Sequence, residues 1–289
     1  MAKKPNEPQD YGTTGHSWDG IEELNTPLPR WWLWTFYATI VWGLIYVAAY
    51  PAWPLINGAT QGFLGYSTRG EVAEDIAAFE AKQAPMNTKL VETELAAIAD
   101  DAELLGYANS AGEAVFMTWC SQCHGSGAAG AVGYPNLVDD DWLWGGDIES
   151  IHTSISVGIR QPSDEDYLRQ SEMPAFGRDE LLEEGQIDEV VNFVMSLSGE
   201  AKDATLVEAG AVVYEENCAA CHGDAGEGDI DQGAPNLADA IWLYGEGYDA
   251  IRETVYSARY GAMPAWNTRL SEAEIRAVAT FVHTRGGGQ

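Results

Sequence analysis

The chain has 289 residues, with 15 Lys plus Arg against 45 Asp plus Glu and a formal net charge of −30. That length supports two modest domains and an anchor. That charge excludes nucleic acid, whose phosphates would repel it, and favours basic protein partners.

Residues 1–30 form a polar tail. Then follows WWLWTFYATIVWGLIYVAAYPAW, 23 residues from Trp31 to Trp53 without a charge. As a helix this stretch would span roughly 34 Å, against about 30 Å for the hydrocarbon core of a bilayer. Trp31, Trp32 and Trp34 at one end and Tyr50 and Trp53 at the other would sit at the two interfaces. Val47-Ala48-Ala49 loosely fits a signal-peptide cleavage site, but the stretch is long, Trp-rich and begins late. An uncleaved transmembrane anchor over 31–53 is therefore expected, with Gly43 a point of close approach for a neighbour. Only Lys3, Lys4 and Arg30 precede it as basic residues, so charge says little about orientation. Residues 54–105 carry helical patterns broken at Pro85 and are expected to be a helical linker.

The rest of the chain is one module written twice, at 106–200 and 203–289. Gly112-x-x-x-Phe116-x-x-x-Cys120 matches Gly210-x-x-x-Tyr214-x-x-x-Cys218. CSQCH at 120–124 matches CAACH at 218–222, and these pentads use all four cysteines. Gly-Tyr-Pro-Asn-Leu at 133–137 matches Gly-Ala-Pro-Asn-Leu at 233–237, and Met173-Pro-Ala-Phe matches Met263-Pro-Ala-Trp. Each copy closes on an amphipathic helix, Ile187, Val190, Val191, Val194 and Ile275, Val278, Ala279, Val282. The first copy is ten residues longer between Trp142 and Met173, a surplus falling in the polar stretch 160–172. No strand pattern is found, so an all-α fold with long loops is expected.

A disulfide within each Cys-x-x-Cys would need no histidine, and a zinc site would need four ligands. Covalent haem attachment uses every part of the motif: Cys120, Cys123, Cys218 and Cys221 as thioethers, His124 and His222 on iron. Met173 and Met263 stand 49 and 41 residues after those histidines. They sit in loops where a core methionine has no periodic reason to be, ahead of a proline that stiffens the backbone. They are the expected sixth ligands. His/Met ligation fills both axial positions, which favours electron transfer over catalysis, and no catalytic residue is expected. His152 and His283 have no counterparts in the other copy and are expected to be solvated; His16 is uninformative. GSGAAG at 125–130 fits Gly-x-Gly-x-x-Gly, but no strand precedes it. Its glycines are expected to let backbone pass a haem edge, not to bind a dinucleotide.

This order of glycine helix, CxxCH, Pro-Asn-Leu loop, distal Met and closing helix resembles class I cytochrome c, once in each copy. The resemblance implies that each first helix crosses its own copy's last helix, Gly112 on the Phe193 helix and Gly210 on the Phe281 helix. It also implies that the Pro135 and Pro235 carbonyls bond the proximal histidines. With the tail GHSWDGIEELNTPLPRWW, the single span and the linker, the whole chain resembles the dihaem CcoP/FixP subunit of cbb3-type cytochrome c oxidases. That implies two haem c groups, a monohaem c subunit and a catalytic haem b/copper subunit as partners, and a donor cytochrome c. It further implies a bacterial inner membrane, with the tail cytoplasmic and the haem domains periplasmic. Of the charged residues, 40 acidic and 12 basic follow the span, an acidic face suited to steering a basic donor or serving solubility. Two other readings stand beside this one: a free-standing, membrane-anchored dihaem shuttle, and a dihaem peroxidase or sulfur-oxidising enzyme with an open iron. Whether Met173 and Met263 serve their own copy's iron or the other's stays open.

Overall fold

A computed structural model describes residues 11–162 and 168–286. Lys3, Lys4 and the middle of the 160–172 insertion lie outside them. The chain divides into two compact units, Met1–Ala81 and Lys82–Gln289.

The first unit corrects the expectation of an all-helical chain. Strands β1 (Thr13–Trp18) and β2 (Ile21–Leu24) form an antiparallel hairpin with Trp18 opposite Ile21. Asp19 and Gly20 make its two-residue turn with φ of 49° and 80°. Asp-Gly tolerates two successive positive φ values, the twist a tight hairpin requires. A shorter ribbon pairs β3 (Pro54–Leu55) with β4 (Gly58–Ala59).

Between them runs α1 (Arg30–Ala49), 20 residues, long and apolar enough to cross a membrane. It is shorter than the expected 31–53 because Pro51 forces Tyr50 into extended backbone, φ −114° and ψ 163°. The amides of Phe63 and Leu64 then bond the last-turn carbonyls of Ala48 and Ala49, at 3.0 and 3.2 Å. Trp31, Trp34, Trp42 and Leu44 face outward. Among the described residues, nothing beyond its own helix lies within 4 Å of where a side chain on Gly43 would begin.

Helix α2 (Thr68–Glu92) continues through Pro85, where the sequence suggested a break. Proline removes one amide and leaves the carbonyl of Ala81, four residues back, without it; the division between the two units falls at that residue. The expected linker is also less of a linker than its polarity implied. Leu90 of α2 and Ile98, in the 3-10 turn Leu95–Asp100, are fully buried with Leu104, Ala108 and Ala277.

The second unit continues with α3 (Ala102–Val115), a π-turn over Phe116–Cys120, α4 (Ser121–His124), α5 (Ile148–Val157) and α6 (Glu184–Ser198). The second copy supplies α7 (Val207–Asn217), α8 (Ala219–His222), α9 (Tyr248–Ser257) and α10 (Glu272–His283). Asp101 starts α3 by accepting the amides of Glu103 and Leu104, and Ser271 starts α10 through a reciprocal box with Glu274.

The helices pair across the two copies. A Cβ on Gly112 would lie 2.2 Å from the Ala277 carbonyl oxygen of α10, and one on Gly210 2.1 Å from the Glu189 carbonyl oxygen of α6. The expected pairing within each copy is thus corrected: α3 crosses α10, and α6 crosses α7. The physical reason is chain connection. Only residues 199–206 separate α6 from α7, so those two helices meet at low loop-closure cost. The helix left over to cover α3 is α10.

Two cores follow. One holds Phe116, Ile151 and Ile155 from the first copy with Trp266, Ile275, Val278 and Phe281 from the second. The other holds Phe176, Ile187, Val190 and Val194 from the first copy with Tyr214, Ile251 and Val255 from the second. The second core is contiguous in sequence and is inserted within the first. His152 joins the exchange at the surface, its Nε2 lying 3.1 Å from Glu272 Oε1 of α10.

Candidate haem sites

Each pentad begins at the end of its glycine helix, in a short turn of helix that places its histidine beside the following loop. His124 Nδ1 lies 3.0 Å from the Pro135 carbonyl oxygen, and His222 Nδ1 lies 3.0 Å from that of Pro235. A carbonyl only accepts, so Nδ1 carries the proton and the Nε2 lone pair is left as the ligating atom. Burial holds both imidazoles below the usual histidine range, partly opposed by those same carbonyls. Burial likewise pushes the Cys120 and Cys218 thiols up to about 11.

The loops that present the prolines are held by the pentads themselves. Gly130 donates to the His124 carbonyl at 2.9 Å and Gly228 to that of His222 at 2.8 Å. Gly130, with φ 65°, packs on the Tyr134 and Pro135 carbonyls, where a Cβ would come within 2.3 Å. Of the glycines in GSGAAG, Gly130 thus serves the proline loop, and the stretch follows helix α4 directly.

The methionines cross between copies as the helices do. Met263 packs in the core of Phe116, Cys120 and Trp142, whereas Met173 packs in that of Tyr214, Cys218 and Trp242. Backbone bonds pin both loops. Ile159 and Met263 exchange two hydrogen bonds of 2.9 and 3.1 Å, and the Trp266 amide bonds Ile155 at 3.1 Å. On the other side the Gly177 and Arg178 amides bond the Tyr256 carbonyl at 3.2 and 3.0 Å.

All four cysteines, both histidines and both methionines line one cavity of about 1030 Å³, whose walls include Trp119, Trp142, Ile155, Val190, Trp242 and Val255. Its volume lies at the upper end for single ligand pockets, and its apolar walls, with the two histidines and two methionines among them, fit flat, largely apolar macrocycles. The sequence did not single out Arg160, which also lines this cavity; an arginine in a polar insertion carries no local signal.

A helical chain that twice sets a carbonyl-bonded CxxCH histidine against a methionine loop belongs to the c-type cytochromes. Comparison with known proteins narrows this. Residues 11–57 match the N-terminal domain of cytochrome oxidase-cbb3, FixP, and residues 108–194 and 205–282 match cytochrome c oxidase, cbb3-type, subunit III. A relative from Cereibacter sphaeroides, called cbb3-type cytochrome c oxidase subunit CcoP, is 60% identical over 99% of this chain and 98% of its own length. CcoP of Rhodobacter capsulatus is 55% identical over the full length of both, and FixP of Sinorhizobium medicae 48% identical over 96% and 95%. The chain belongs to the CcoP/FixP family of cbb3-type cytochrome c oxidase subunits. Its role is electron transfer within that oxidase.

Proposed function

We propose that the chain carries electrons from a donor cytochrome c through two covalently held haem c groups to a monohaem subunit. That subunit would pass them to the catalytic haem b/copper subunit. The groups would supply one-electron iron chemistry when bound. Cys120 and Cys123 would hold one, and Cys218 and Cys221 the other, each through two thioethers. His124 and His222 would ligate through Nε2, while Pro135 and Pro235 fix the ring and tautomer. Met263 would complete the site of His124, and Met173 that of His222. The carrying observation is that each methionine packs in the core of the other copy's pentad.

With a histidine and a methionine of this chain holding each group, the chain would not reduce oxygen itself. Haem attachment outside the cytoplasm would place the unit from Lys82 onward in the periplasm and the tail in the cytoplasm, with α1 as the single span in a bacterial inner membrane.

The test is gentle detergent purification from native membrane. Co-elution of b-type haem, copper and a second c-type subunit, with cytochrome c-dependent oxygen uptake, supports the reading. A two-haem protein free of copper and oxygen uptake would instead mark a free-standing shuttle.

A further inference from the structure

Arginines are scarce in this acidic chain, and most carboxylates are available to them. Arg252 pairs with Glu184 and Asp188, and Arg276 with Glu272. Arg160 does otherwise. It is half-buried in the cavity wall, and among the described residues no carboxylate pairs with it. Glu172 acts on it only through space.

Its donors go to two carbonyls instead. Nε donates to Ser171 O and Nη1 to Gly261 O, both at 2.8 Å, and the guanidinium lies 5.1 Å from the centre of the Tyr260 ring. Ser171 and Gly261 are equivalent positions, each two residues before a methionine of the two sites. One side chain therefore ties both methionine loops together. Nη2 has no partner among the described residues, and the backbone holds Arg160 at φ 54°, a left-handed conformation that non-glycine residues adopt at a cost. Arg259, also in the wall, spends its bonds locally on Ala250 and Thr254 of α9.

A half-buried guanidinium without a carboxylate is expensive unless an anion reaches it. On the haem reading above, the groups entering this cavity bring carboxylates of their own, the propionates. We infer that Arg160 is a shared positioning residue that clamps both methionine loops and pairs through its remaining N–H groups with haem propionate, lending positive charge to both irons. A nearby cation favours the reduced, less positive iron.

The test uses the full-length chain in its oxidase complex. Arg160→Gln should keep two haems by mass while both midpoint potentials fall together. Arg160→Lys, which retains the charge, should restore them at least in part. Should the Gln variant fail to accumulate, redox infrared difference spectra of wild type with 15N-guanidinium arginine should show a shifted arginine band that Arg160→Lys loses. Unmoved potentials in a two-haem Gln variant, a Lys variant falling as far as Gln, or no such band would overturn the inference. A wild-type chain without two haem masses would sink the haem reading, and this inference with it.

Discussion

Gly112 of the first copy rests on the carbonyl of Ala277 in the last helix, so closely that a Cβ would come within 2.2 Å of the oxygen. The contact is backbone on backbone, and neither partner is the far end of a flexible side chain. The rings of Phe116 and Phe281 follow at 5.4 Å between centroids, as those of Tyr214 and Phe193 do at 5.0 Å in the other core.

Gly112→Val should therefore unseat α10 and destabilise the first core by about 1–3 kcal/mol or more, as overpacking does. Gly106 in the same helix has open space around it, and Gly106→Ala should stabilise by about 0.5–1 kcal/mol. Urea unfolding of the two variants checks both signs. Equal effects would mean that the α3–α10 crossing is not what Gly112 serves.

Met263→Leu should lower the potential of the haem on Cys120 and Cys123, leaving the one on Cys218 and Cys221 near its native value. Met173→Leu should do the reverse. Redox titration in variants that retain only one pentad assigns each wave. A change confined to the methionine's own copy would refute the exchange of ligands.

Burial, with Asp239 and Asp139 adding like charge, raises the Asp141 carboxyl to about 6. An acid with a raised folded pKa costs stability when ionised. That cost is absent below the ordinary value near 4 and complete above about 6. Asp141→Asn should thus stabilise the chain at pH 7 by about 1 kcal/mol once solvent screening of this half-buried carboxyl is counted, with the gain vanishing near pH 4. Thermal melts at the two pH values decide it; an equal gain at both would point to packing instead.

If the acidic residues after the span steer a basic donor, the second-order rate of electron uptake should fall steeply as salt rises from about 0.02 to 0.3 M. A rate indifferent to salt would assign the acidity to solubility alone.

The residues of the candidate sites were largely legible in the sequence. A thioether needs cysteine, a metal needs histidine or methionine, and a repeat displays such residues twice; hence the pentads, Met173 and Met263 stood out by type and spacing. The apolar run of α1 was legible for the same reason, since crossing a membrane is a matter of local composition. The hairpin at Asp19-Gly20 is also written locally, in a two-residue turn between Trp18 and Ile21, but its flanking residues are too polar to show a strand alternation.

What only the tertiary structure decided is which half of each copy packs on which. Gly112 could meet either closing helix, because α6 and α10 present nearly the same apolar face. The choice follows connection length: α6 and α7 are joined by residues 199–206 alone, the contact of lower loop-closure cost, which leaves α10 to close on α3 with Met263 just ahead of it. Arg160 was illegible for a related reason. Its meaning lies in Ser171 and Gly261, which come together only once both methionine loops have crossed.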